Sequence, residues 1–443
     1  MTAASASVSG SPATGNLLAS ILSEDSFRPA EPRTIEETGL TAALVETLIL
    51  KYLMLLGSAS GRQIAENVCI NYLILEPIFN SLRQRQLIIH SGSAQLNDYN
   101  YTLTDQGRTR ARAAMEQCAY IGAAPVPLED YVVSVEAQTV RAEAPQKRQL
   151  QKAFSDITVE QQMLDMLGPA VNSGAGLFLY GAPGNGKTTL AKRITACYGQ
   201  HIWIPRTITE DGQYIKLFDA AFHEPLEQGG NSLLKAAEHD RRWIKIRRPT
   251  VIVGGELTMD ALEIRNDERS NVSEASLQLK SNCGCLLIDD FGRQRMQPVE
   301  LLNRWIVPLE KRYDYLNLPG GKKIQVPFDQ LIIFSTNLEP KDLVDDAFLR
   351  RIPYKIEVTD PAVDEFENLF KLVAPKMGVD FRDDVFAYLI DRHYQRTGRP
   401  MRCCHPRDLL LQFKNFCNFN GIQAEMTNDT MDFAVENYFA VME

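Results

Sequence analysis

Apolar residues in this chain recur first at helical spacing and later in short, dense blocks. Leu40 to Leu56 is mostly apolar, and its densest stretch, around Leu48 to Leu56, is interrupted by Lys51, which predicts a buried helix. Gly61 to Val68, carrying Ile64, Ala65 and Val68, predicts a short second helix, and Tyr72 to Gln84 a third, with Leu75, Ile78, Phe79 and Leu82 on one face. Leu87 to His90 and Tyr99 to Leu103 read as two strands around the turn-rich SGSAQLND, a hairpin signature. Thr104 and Asp105 offer caps for a last helix through Cys118. Farther on, Leu177 to Tyr180, the CLLI before Asp289 and Leu331 to Phe334 are apolar blocks of buried parallel strands.

The pattern divides the chain. Residues 1–37, rich in Ser, Ala, Gly, Thr and Pro, read as a disordered tail. Residues 38–120 resemble a winged-helix domain in having three helices, a hairpin wing and a closing helix. Residues 121–150, with AAPVPLED and AEAPQKRQ, read as a linker. Residues 151–358 are expected to form an α/β core and residues 359–443 a helical lid.

Composition narrows the setting. At 443 residues the chain is long enough for two or three domains, and its 44% hydrophobic and 23% charged residues suit a globular protein. No apolar run reaches the roughly 18 residues of a membrane span. No secretory signal is recognisable, so a cytoplasmic location is expected. The eight cysteines form no CxxC pair; Cys283 and Cys285 flank a glycine, and Cys403 and Cys404 are adjacent. That spacing predicts reduced thiols rather than a zinc site. A net charge of -9 means that any nucleic-acid contact needs a local basic patch. In the winged-helix segment Lys51, Arg62, Arg83, Arg85, Arg108, Arg110 and Arg112 are nearly balanced by acids, and the third helix offers only Arg83 and Arg85 to a groove. Protein docking is favoured there over DNA reading.

The chemistry lies in the middle. After the strand ending at Tyr180 comes GAPGNGKTTLAKRI, in which Gly181, Gly186, Lys187 and Thr188 fit G-x-x-x-x-G-K-[ST]. The loop Gly181, Pro183, Gly184, Asn185 and Gly186 would wrap phosphate oxygens with backbone amides. Lys187 would reach the β- and γ-phosphates, Thr188 would ligate Mg²⁺, and the helix through Thr189 would point its positive end at the nucleotide. In CLLIDDF, Asp289 would hold Mg²⁺ and Asp290 would orient the attacking water. Asn337, at the end of the Leu331 strand, can bond the γ-phosphate and that water. Arg350 and Arg351 close a short helix and would face a neighbouring subunit's ATP. Arg407, in HPRDLL, can reach back to the phosphates.

In this order the elements resemble Walker A, Walker B, sensor 1, arginine finger and sensor 2 of the AAA+ ATPases, over about Phe154 to Glu443. The resemblance implies a P-loop NTPase α/β core with a C-terminal helical lid, ATP and Mg²⁺ as cofactors, and a ring homo-oligomer, a hexamer, that hydrolyses ATP to remodel a client protein. FSDITVEQQMLDML is similar to the family's adenine-side lead-in, with Ile157 as an adenine contact. The family usually has Glu where Asp290 stands; the shorter side chain sets its carboxylate farther from water and favours binding over fast hydrolysis.

Two insertions are similar to those of the clade holding MoxR-type chaperones and bacterial enhancer-binding activators. One runs from Val251 toward Asp289, with a moving loop placed near Leu262 to Ser276. The other is a hairpin turning at Pro319-Gly320-Gly321. The basic DRRWIKIRRP, with Arg241, Arg242, Lys245, Arg247 and Arg248 around Trp243, could grip nucleic acid, but its alternation favours an edge strand with a solvated face. The whole arrangement also loosely resembles bacterial chaperone-like ATPases linked with Flp-type pilus assembly. The alternatives to a protein remodeller are a DNA-linked helicase loader or transcription activator, and an ATP-gated scaffold with weak hydrolysis.

Overall fold

The computed structural model describes residues 27–95, 98–141, 145–155, 161–199, 201–226 and 239–440. Local signals set the N-terminal helices. Thr41 caps Ala42–Leu56 by accepting from the Leu44 amide, and Ser60 with Gln63 forms a capping box for Gly61–Val68. Asn71 caps Tyr72–Gln84 and Thr104 caps Asp105–Gln117. Strand β1 (Ser58–Ser60), which the sequence pattern does not announce, adds to the hairpin β2 (Ile88–Ala94) and β3 (Asp98–Leu103), giving the order β1–β3–β2. Leu48, Ile49, Leu53, Ile64, Val68, Leu75, Phe79 and Leu82 close the core under this sheet. These elements run helix, short strand, two helices, hairpin, helix.

Two expectations fail around this unit. The tail assigned through residue 37 ends earlier: Ala30 bridges to His239, Phe27 packs 5.4 Å from the Trp243 ring, and Glu36–Thr38 forms a 3-10 turn. The linker assigned to residues 121–150 contains β4 (Val126–Pro127) and the helix Leu128–Ala137, whose Leu128, Tyr131 and Val135 are buried. Composition misleads here because these pieces are short and gain their order from distant strands.

The next elements build the core. Strand β5 (Leu177–Tyr180) leads through the glycine loop into the helix Lys187–Thr195. Four short strands follow, β6 (His201–Pro205), β7 (Thr207–Glu210), β8 (Gln213–Lys216) and β9 (Trp243–Arg247), before β10 (Thr250–Val253). Then come β11 (Arg265–Asp267), β12 (Val272–Glu274), the helical turn Leu277–Lys280, β13 (Cys285–Ile288), the helix Pro298–Lys311, the hairpin β14 (Tyr313–Asn317) and β15 (Lys323–Pro327), β16 (Leu331–Thr336) and β17 (Tyr354–Glu357). The central sheet has the order β10–β13–β16–β5–β17, and every pairing in it is parallel. Helices cover both faces, so the inner strands β13 and β16 are fully buried, whereas the edge strand β17 exposes Lys355 and Glu357.

A second sheet, β11–β12–β8–β7–β4, and the ribbon β6–β9 are built from insertions into this core, apart from β4, which precedes it. The expected hairpin is present as β14–β15, where alternate residues Ile324 and Val326 are buried. The expected moving loop is not a loose one. Residues 262–276 fold into β11–β12, β12 pairs with β8, and the hairpin tip docks on the N-terminal unit: the Ala119 amide donates to Ser270 O (2.7 Å) and Asn271 Nδ2 to Gln117 O (2.7 Å). Beside it, the buried Lys51 ammonium donates to Cys118 O (2.9 Å) and lies 5.4 Å over the Tyr214 ring. Behind β17 the chain becomes helical: Val363–Lys376, Asp383–Leu389 running into a π turn at Ile390–Gln395, His405–Asn420 and Asn428–Phe439. Phe366, Phe370, Leu409, Phe413 and Met431 give this unit a core of its own.

Candidate nucleotide site

The glycine loop after β5 is shaped by positions that only glycine tolerates well. Gly181 has φ +134, and a methyl group there would lie 2.4 Å from Val358 O. Gly186 has φ +81 and forms the N-cap of the Lys187 helix. Lys187 is buried. Its ammonium donates to Gly181 O (2.9 Å), Ala182 O (3.0 Å) and Asn337 Oδ1 (2.7 Å). Burial holds this lysine below the ordinary range; Asp289 and Asp290 oppose that shift and Arg402 adds to it.

Parallel pairing brings the other groups to the same edge. β13 lies beside β16, and both end where the loop begins. Thr188 Oγ1 donates to Asp289 Oδ2 (2.7 Å), and the Asp290 amide donates to Asp289 Oδ1 (3.1 Å). Asp290 sits in the left-handed region at φ +50, with its Oδ1 3.5 Å from Asn337 Nδ2. The acid loop is pinned from below. Gln294 donates to Asp289 O (3.0 Å) and Asp290 O (3.1 Å), Thr336 Oγ1 donates to Phe291 O (2.9 Å), and the Phe291 amide donates to Ser335 O (2.7 Å).

Together these residues line a cleft of about 360 Å³, formed by Pro183, Gly184, Gly186, Lys187, Thr188, Thr189, Asp289, Asp290, Asn337, Cys404 and Arg407. Thr188 Oγ1 and Asp289 Oδ2 are adjacent hard oxygens, a donor set that suits Mg²⁺, which takes few protein ligands and keeps several waters. No cluster of three or more His, Cys, Asp or Glu able to hold a metal occurs among the described residues.

The remaining site residues lie at the rim of this cleft or outside it. Asn185 is buried beside the cleft and bonds to Asp360 (2.7 Å). Arg407 borders the cleft, with its guanidinium on Asp408 (2.9 Å). Arg350 and Arg351 lie outside it, at the end of Asp346–Arg351; Arg351 Nε donates to Glu310 (2.7 Å), while Arg350 is exposed. Ile157 lies outside the described residues. Sequence reasoning missed Gln294, Asp360, Arg402 and Cys404. Of these, Gln294 stands near the paired acids, and Arg402 and Cys404 just precede HPRDLL, while Asp360 stands near no motif.

The basic stretch proves largely structural. β9 pairs with β6, and Arg242 and Arg248 are buried. Arg242 binds Asp240 through Nη2 (2.7 Å) and Nε, and its Nη1 donates to Thr38 O (2.8 Å) and Pro125 O (3.1 Å). Arg248 Nη1 donates to Gln138 O (3.0 Å) and Cys283 O (2.6 Å). The eight cysteines are unpaired thiols, and among the described residues no helix is long and apolar enough to cross a membrane.

Comparison with known proteins adds little about activity. Residues 362–437 match a family described as a domain of unknown function (DUF8689). No curated protein matches. Among solved structures, NtrX from Brucella abortus is 13% identical, with a TM-score of 0.40 over 64% of this chain and 57% of that one, so this chain spans little more than half of NtrX. A RuvB mutant from Thermotoga maritima is 13% identical, with a TM-score of 0.36 over 70% and 73% of the two chains. The BchI–BchD complex of magnesium chelatase is 17% identical, with a TM-score of 0.35 over 65% and 94%. The fold is fixed by the connectivity. A five-stranded parallel sheet in which the P-loop strand β5 lies between β16 and the edge strand β17, followed by a helical unit, makes this a P-loop α/β core with a C-terminal helical lid.

Proposed function

We propose that the chain binds ATP with Mg²⁺ in the cleft above the glycine loop and hydrolyses it to drive movement of the helical unit against the α/β core. The observation that carries this is the meeting of Lys187, Thr188, Asp289, Asp290 and Asn337, drawn from three parallel strands, in one cleft bordered by Arg407. Lys187 supplies a desolvated ammonium to the terminal phosphates, and the loop amides supply the remaining donors. Thr188 and Asp289 hold the cation, whose charge offsets that of the phosphates. Asp290 and Asn337 share the position from which water is oriented.

The protein acts as a ring homo-oligomer, a hexamer, on a protein client. The exposed Arg350 is better placed than Arg351, which Glu310 engages, to complete a neighbour's site. The N-terminal unit serves as a winged-helix docking module for protein: the exposed residues of Tyr72–Gln84 include Leu73, Glu76, Asn80 and Arg83, a face with no excess of positive charge. A second reading, an ATP-gated scaffold with weak turnover, is favoured by the short Asp290 side chain and its 3.5 Å separation from Asn337.

Binding of a fluorescent ATP analogue and steady-state phosphate release test this assignment. Lys187→Ala should weaken nucleotide binding at least about 100-fold, through loss of charge-assisted bonds. Asp290→Asn should bind normally and turn over about 100-fold more slowly. Unchanged binding by Lys187→Ala sinks the assignment. An Asp290→Glu variant faster than the natural protein would favour the scaffold reading.

A further inference from the structure

The tip of the glycine loop is tied to the helical unit by a network that the Walker-type motifs do not include. The buried Asn185 donates through Nδ2 to Asp360 Oδ1 (2.7 Å), and its Oδ1 accepts from the Cys403 amide (3.3 Å). Arg402 Nη1 donates to the same Asp360 oxygen, forming an ion pair. Next to them, the Cys404 amide donates to Gly184 O (2.9 Å). The fit is close: a methyl group on Gly184, where φ is +85, would lie 2.6 Å from Cys404 Sγ.

These bonds cross a boundary. Asn185 belongs to the loop, and Asp360 follows β17, which is held in register with β5 (Glu357 opposite Tyr180). Arg402, Cys403 and Cys404 precede the helix His405–Asn420 and belong to the helical unit. Cys404 and Arg407 are also the only cleft-lining residues contributed by that unit among the described residues. The network therefore sets the position of one wall of the cleft.

We infer that Asp360, Asn185 and Arg402 form a latch that sets the rate of nucleotide release by holding the helical unit's wall against the loop. This rests on reading the cleft as the ATP site and adds positioning residues to it. Cys404 and Arg407 line the cleft in which a nucleotide on the loop amides would sit, so movement of their wall would widen its exit. Asp360 joins the two sides because one carboxylate oxygen accepts from both Asn185 and Arg402. A conventional surface ion pair contributes little, but this one shares its acceptor with a buried amide and has an additional main-chain bond beside it.

The test is stopped-flow release of mant-ADP from the full chain, chased with excess ADP. Asp360→Ala should release mant-ADP about tenfold faster. Asp360→Asn keeps an acceptor for Asn185 but loses the ion pair, so its rate should lie between those of Asp360→Ala and the natural protein. Arg402→Ala supplies an independent variant should Asp360→Ala fold poorly, and it too should speed release. Combined with Asp360→Ala it should add nothing, because both remove the same bond. Release rates for Asp360→Ala and Arg402→Ala within about twofold of the natural protein would overturn the latch while leaving the ATP site standing. No saturable mant-ADP binding by the natural protein would overturn both.

Discussion

Replacing Asp240 by Asn should weaken the junction between the N-terminal unit and the inserted strands far more than loss of an ordinary ion pair. The guanidinium of Arg242 is 3% exposed and the Asp240 side chain 4%. In the natural protein Asp240 meets Nε and Nη2, while Nη1 reaches the carbonyls of Thr38 and Pro125. The substitution removes the carboxylate paired with a buried cation and turns an amide donor toward guanidinium N–H groups. Breaking a pair of this kind costs about 3 to 5 kcal/mol. With an m-value of about 2 to 3 kcal/mol/M, the urea midpoint of the affected transition should fall by about 1 to 2.5 M. Trp203 and Trp243 pack together at this junction, so their fluorescence in a Trp305→Phe background reports it directly. Asp165→Asn is the control: its pair with Lys147 is also short, at 2.8 Å, but more than half exposed on both sides. That variant should leave the midpoint unmoved. If Asp240→Asn behaves like Asp165→Asn, the claim that Arg242 is a desolvated structural cation is wrong.

Two more perturbations probe the loop and the helical unit. Gly181→Ala should abolish nucleotide binding, because φ +134 alone strains a non-glycine residue by about 1 to 3 kcal/mol and the added methyl meets Val358 O at 2.4 Å; normal affinity in a fluorescence titration would refute this. His405 is buried against Tyr394, whose hydroxyl meets its Nδ1 at 3.0 Å, and burial, aided by Arg402 and opposed by Asp408, lowers its pKa from 6.5 to about 4. The unfolded chain accepts a proton on this histidine more readily than the folded one. Its contribution to stability is therefore full above about 6.5 and is lost as pH falls toward about 4. Urea melts across that window should flatten in His405→Asn, and an unaltered pH slope would count against the assignment.

How much of this could be read in advance depended on whether the determining residues were neighbours in sequence. The glycine loop was legible because strand, loop and helix are contiguous and their chemistry repeats at fixed spacing. Asp289 and Asn337 were legible because each follows an apolar block, and parallel pairing delivers both to one edge. The β14–β15 hairpin was announced by its Pro-Gly-Gly turn and by alternating Ile324 and Val326. The second sheet was hidden, since β4 has two residues and β11 and β12 three each, too few for any alternation to show. The burial of Arg242 was equally hidden: two of its acceptors, Thr38 and Pro125, lie 204 and 117 residues away. Asp360 and Arg402, 42 residues apart, follow no motif and become partners only when the helical unit closes on the loop.

The docking of the β11–β12 tip on Gln117 and Ala119 bears on how any cargo would be sensed. The polypeptide leaving that tip passes through Leu277–Lys280, where the buried Lys280 is anchored by Asp219 and Glu274, and then becomes β13, which Asp289 follows. A molecule seated on the N-terminal unit would thus load a segment whose far end carries Asp289, the carboxylate proposed to hold Mg²⁺. Thermodynamic reciprocity then applies: whatever factor nucleotide adds to the grip on cargo, cargo must return to the grip on nucleotide.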